Sequence, residues 1–331
     1  MKKTFDLSRG NLNKMGTHTK LAGLALTIIA QQSGAATISS FDQYTLELLN
    51  QMRANPQAAA NTYLSGDLNE GLAAGTISTT AKQPLAWDLG LVAAAQSHTS
   101  DMIGNNFFAH TGSDGRSPFQ RMNDAGYNFL TAGENLSTRG DSTLTAITAE
   151  LTKQMNIDLF VDSGVTGRGH RTSMLNNNFE SVGISNGFSS AYTPLGGLPG
   201  GVVTVDFGAN NNGSFLTGVA FDDIDADNFY SPGEGLGGLN VVVFEAGTQN
   251  IVASTTTLDA GGYTLDLGAG LYDLEITGDL GQLFEQGIVL GNENIKIDYN
   301  NYNASAVPVP AAIWLFASSL IGFGVFSKRR I

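Results

Sequence analysis

Two of the four histidines in this 331-residue chain lie in compact polar motifs: His110 in Phe-Phe-Ala-His-Thr-Gly and His170 in Gly-Arg-Gly-His-Arg, with Gly-Glu-Asn around Glu134 between them. Imidazole binds metal ions or carries protons near neutral pH, and a carboxylate beside it serves as ligand, orienter or base. Two histidines and a carboxylate with open positions suit a divalent ion such as Zn2+. In a hydrolytic variant of that chemistry, His110 and His170 hold the ion while Glu134 activates water. Three acids, Glu150, Asp158 and Asp162, lie on or just beyond the helix that precedes the second motif, and Asp162 stands close enough to fold back on the His170 loop. The chain has no Gly-x-Ser-x-Gly nucleophile elbow, so a serine hydrolase would have to use a residue such as Ser137.

A second constellation runs Asp223-Ile-Asp225-Ala-Asp227-Asn-Phe229-Tyr-Ser231-Pro-Gly-Glu234. Counted from Asp223, acids fall at positions 1, 3 and 5, the Phe229 carbonyl at 7 and Glu234 at 12, the oxygen-ligand spacing of a Ca2+ loop. Asn228 replaces the glycine of position 6, and asparagine tolerates the left-handed conformation required there. Without a cation these carboxylates would repel one another. The remaining polar candidates read as structural. His98 is expected in packing or at the surface, and Arg168 and Arg171 as partners of Asp158, Asp162 or Glu180.

Helical spacing runs from Phe41 through Tyr44, Leu48 and Met52 until Asn55-Pro56 breaks or restarts it. Further helices are expected at residues 89–102 and 143–162, and strands at 129–137, 181–188 and 202–207. Helices alternating with short strands predict an α/β sandwich whose sheet is covered on both faces. After a polar linker at residues 208–214 the composition changes. Residues 214–306 hold 14 acids against Lys296 alone, and they alternate in strand fashion at 239–244, 251–257, 263–267 and 272–276. A small all-β sandwich is the expectation there.

The ends read as targeting segments. Residues 1–36 place five basic residues before a short apolar run and small residues, the layout of a signal peptide, with Met15 as an alternative start. Residues 307–331 join Val-Pro-Val-Pro-Ala to an apolar stretch and Lys328-Arg329-Arg330. As a helix its apolar part reaches about 24 Å, a marginal membrane span with the basic triplet cytoplasmic. Without these ends the chain keeps 9 Lys and Arg against 29 Asp and Glu, a net charge of −20. Such a charge disfavours nucleic acid and anionic lipid surfaces and suits divalent cations. With no cysteine, thiol catalysis, thiolate metal sites and disulfides are excluded.

The order FxHxG, GEN, GHR over residues 41–208 resembles the CAP superfamily of SCP-like extracellular proteins. The resemblance implies a three-layer α-β-α sandwich over residues 37–210. It also implies a central cavity onto which His110, Glu134, His170 and a fourth acid, here Asp162, converge. Residues 214–303 resemble the Ca2+-stabilised SdrD B-type β-sandwiches of bacterial surface proteins, although Lys296 as sole lysine argues against an isopeptide staple. The tail resembles a PEP-CTERM sorting signal of the VPxPA type. That implies transient anchoring in the inner membrane, cleavage by an exosortase, and release to the surface or matrix of a Gram-negative bacterium. Three functions follow as expectations: a metal-holding binding module for extracellular polysaccharide, peptide or lipid; a metal-dependent, peptidase-like hydrolase; and a passive matrix component.

Overall fold

The computed structural model describes residues 37–210 and 212–304; the signal-peptide and sorting-tail expectations lie outside them. Within the described residues no helix is long and apolar enough to cross a membrane. The N-terminal half runs α1 (Ser40–Ala54), α2 (Pro56–Tyr63), β1 (Ala86–Trp87), α3 (Leu89–Gly104), α4 (Pro118–Asp124), β2 (Thr131–Gly140), α5 (Ala149–Val161), α6 (Gly169–Met174), β3 (Ser181–Tyr192) and β4 (Leu198–Ala209). Ser39 and Asp42 form a reciprocal capping box that starts α1. Asn55 ends α1 and, through its side chain and Pro56 at the first helical position, starts α2, so the chain restarts rather than breaks.

The first sheet has the order β1-β3-β4-β2, with β4 antiparallel to both of its neighbours. Helix α3 packs closely on β3 because Gly183 has no side chain. A Cβ there would collide with the backbone of Leu91 and Val92. Helices α1 and α5 cover the other face, where Gly201 abuts Leu151 and Met155. The result is an α/β sandwich with helices on both faces of a central sheet. The helix expected at 143–162 starts later, because Thr148 supplies the N-cap by accepting from the Leu151 N–H.

The C-terminal half is all β: β5 (Ser214–Val219), β6 (Asn240–Glu245), β7 (Ile251–Thr256), β8 (Gly262–Leu267), β9 (Gly270–Gly278), β10 (Gly281–Leu290) and β11 (Ile295–Lys296). Two sheets, β10-β9-β6-β7 and β11-β5-β8, close over a core that includes Leu216, Tyr263, Leu265, Val241, Val243, Leu274 and Ile276. The two halves share a seam that includes charged and polar contacts. Lys296 Nζ lies 2.9 Å from Glu47 Oε2 and also pairs with Asp298. Trp87, 6% exposed, donates its indole N–H to Gln43 on α1 (2.8 Å) and its backbone N–H to Thr264 on β8 (3.2 Å).

Candidate functional site

His110 lies in the loop after α3, and three neighbours fix that loop. Asp101 accepts from the Ser113 N–H (2.8 Å) and hydroxyl (2.6 Å). His98 is fully buried, with Nε2 2.9 Å from the Ala109 carbonyl; it braces the loop, and burial lowers its proton affinity. Arg121 of α4 donates to the His110 carbonyl (2.9 Å) and the Arg116 carbonyl (3.0 Å). Its other arm reaches Glu134 Oε2 at 2.5 Å, while Glu134 Oε1 stands 2.8 Å from His110 Nδ1. The Glu134 side chain is 1% exposed and that of His110 54%, so a buried carboxylate presents an open ring.

His170 has a parallel arrangement. Asp162 ends α5 in the left-handed conformation (φ 53°), which turns its carboxylate back over the first turn of α6. Its Oδ1 lies 2.7 Å from His170 Nδ1 and its Oδ2 accepts from the His170 N–H at 2.9 Å. Of the three candidates for the fourth acid, Asp162 therefore meets a histidine. Glu150 instead accepts from Gln154, and Asp158 pairs with Arg139. Arg168 and Arg171 do not take the expected side-chain partners: both reach Glu70, and Arg171 also donates to the carbonyls of Leu68, Phe160 and Val161. No sequence motif marks Glu70 for this role.

Strand β2 contacts both pairs. Consecutive side chains of a strand point to opposite faces. Glu134 meets Arg121 of α4, and Asn135 donates to the His170 carbonyl on α6 (3.0 Å). The His110–Glu134 and His170–Asp162 dyads thus flank the edge strand of the sheet. A cavity of about 210 Å³ is lined by Phe108, Ser137, Asp158, Asp162, Val165 and His170, without His110 or Glu134. Ser137 makes no hydrogen bond to His170.

A group that the sequence reading missed lies behind Glu134. Asp206 of β4 is opposite Glu134 in register, is fully buried, and has no donor for either carboxylate oxygen. Burial, and next the charge of Glu134, push its carboxyl well above the usual range, against the opposing pull of Arg121. Its signal in the sequence was a lone charge within the apolar run Val202-Val-Thr-Val-Asp206-Phe207.

In the second constellation, Asp223, Asp225 and Asp227 offer carboxylate oxygens within 4.8 Å of one another, the only such group of three or more His, Asp or Glu among the described residues. Asn228 adopts φ 59°, the left-handed conformation expected at position 6. Glu234 stands apart from the three. Its oxygens accept from the N–H groups of Ile224 (2.9 Å) and Ser231 (2.7 Å), closing the loop on itself.

Comparison with known proteins bears on the first half. Residues 46–193 match the family model "CAP: Cysteine-rich secretory protein family". The uncharacterized protein YkwD of Bacillus subtilis (strain 168) is 30% identical over 102 residues, 31% of this chain, which spans about a third (34%) of that relative. Among solved structures, an extracellular SCP-domain protein of Bacillus anthracis str. Ames is 23% identical, with a TM-score of 0.27 over 39% of this chain and 35% of that one. An outer surface protein of Borrelia burgdorferi is 16% identical, with a TM-score of 0.32 over 50% and 93% of the respective chains.

Proposed function

We propose that the CAP domain formed by residues 46–193 is a binding module of an exported protein, taking a divalent metal ion such as Zn2+ on its histidines beside an extracellular ligand. One observation carries this reading: in both dyads Nδ1 faces a buried carboxylate, and among the described residues neither Nε2 has a hydrogen-bond partner. An ionised carboxylate only accepts, so Nδ1 carries the hydrogen and Nε2 keeps its lone pair in the neutral ring. This is the arrangement by which carboxylates orient metal-ligating histidines. Glu134 and Asp162 then hold the rings, and the Nε2 atoms of His110 and His170 are the ligands. The hydrolytic alternative is less well served, because fixed donors already occupy both Glu134 oxygens. Polysaccharide, peptide or lipid remains the ligand class, and the surface or matrix of a Gram-negative cell, after exosortase processing, the proposed destination.

The test is Zn2+ titration of the full chain by calorimetry, in an Asp225→Ala background that removes the acidic loop. His110→Ala and His170→Ala should each weaken binding at least tenfold. No binding by the parent chain, or undiminished binding by the double variant, would overturn the reading. Ca2+ at Asp223, Asp225, Asp227, the Phe229 carbonyl and Glu234 is proposed as the structural ion of the second domain.

A further inference from the structure

The surroundings of Asp206 define a problem in electrostatics. In the sheet, its neighbour on one side is Gly183, which has no side chain and lies beneath α3; its neighbour on the other is Glu134. Both carboxyl groups are buried, and a single guanidinium, that of Arg121, compensates them. Glu134 uses that guanidinium and the His110 ring, leaving Asp206 no donor at all. Two carboxylates can only accept, so facing each other they cannot form a hydrogen bond unless one carries a proton. An unpartnered charge at such depth is strongly disfavoured.

We propose that Asp206 is a positioning residue: it is a neutral carboxylic acid that donates its hydrogen to Glu134, so that the Arg121–Glu134–Asp206 trio carries no net charge and Glu134 keeps one orientation toward His110. The hydrogen is placed on Asp206 because Glu134 already accepts from Arg121 and His110, whereas neither Asp206 oxygen has a donor. Burial, pushing the Asp206 carboxyl upward, acts in the same sense. The other ionisable groups around the trio are His98 on α3, itself held toward its neutral form by burial, and His110. The inference does not depend on whether the rings hold a metal.

Infrared difference spectroscopy of the full chain tests it at pH 7. Parent minus Asp206→Asn should show one protonated-carboxyl C=O band, and Asn, which donates in the same place, should preserve the fold by circular dichroism. Glu134→Gln should abolish the same band, because Arg121, released from Glu134, then pairs with an ionised Asp206. A parent chain without the band, or a band that survives Glu134→Gln, overturns the proposal. If Asp206→Asn does not fold, carboxyl 13C NMR of the aspartate-labelled protein decides: one aspartate must stay protonated at pH 7 in the parent and ionise in Glu134→Gln.

Discussion

His110 and His170 receive the same treatment from different sources: one carboxylate comes from mid-strand, the other from a helix end. The mid-strand acid requires Asp206 behind it, and that has a consequence for pH. The native chain keeps a proton on Asp206 that the unfolded chain releases near the ordinary value of 3.8, so this residue makes stability fall as pH rises above that value. The slope is at most about 1.4 kcal/mol per pH unit. Urea unfolding at pH 5 and pH 7 should therefore show Asp206→Asn gaining on the parent as pH rises; parallel curves would contradict a proton held in the native state. His110, Glu134 and His170 were legible because their motifs are local. Asp206, Glu70 and Arg121 were not, since their roles arise from pairing across strands and segments distant in sequence.

The elements do the positioning. Helix α3 carries His98 and Asp101, which hold the His110 loop, and its depth on the sheet is set at Gly183. Gly183→Ala should push α3 away from β3 and cost about 1–3 kcal/mol, as overpacking in tight cores does. Thermal unfolding measures the cost, and an unchanged midpoint would mean that α3 is not seated there. The helical spacing of apolar residues made α1 readable and the alanine-rich run made α3 readable, each to within about two residues, although α1 is buried on nearly every side rather than along one stripe. Short α4 and α6 escaped because six or seven residues scarcely establish a period, and both owe their places to arginines anchored in tertiary contacts. The strands read short at their ends for a related reason: β3 and β4 continue to Tyr192 and Ala209 through small and polar residues whose pairing only the partner strand determines.

For the whole molecule, the sequence indicated two domains and a linker, but not the seam. Polar residues such as Glu47, Asn294 and Lys296 look like surface residues until their partners from the other half are placed. The acidic loop belongs to this seam as well as to the second domain. Tyr230 within it packs with Tyr44 and Leu48 of α1, and the Phe229 ring lies 6.1 Å from that of Tyr44. Ca2+ should accordingly stabilise the full chain, by up to about 2.7 kcal/mol at 100 times its dissociation constant, and so raise its melting temperature. Asp225→Ala should remove most of that gain, and a midpoint indifferent to both Ca2+ and EDTA would count against the loop.

The placing of Trp87 supplies a natural optical gauge. The chain has only one other tryptophan, Trp314. With Trp314→Phe, every photon of indole emission would come from a ring wedged between α1 and β8. If the halves part, water reaches that ring and its emission moves to longer wavelength. If each half melts while docked, the colour should hold until the first unfolds. A single unlabelled cuvette can thus report whether the chain behaves as two bodies or one.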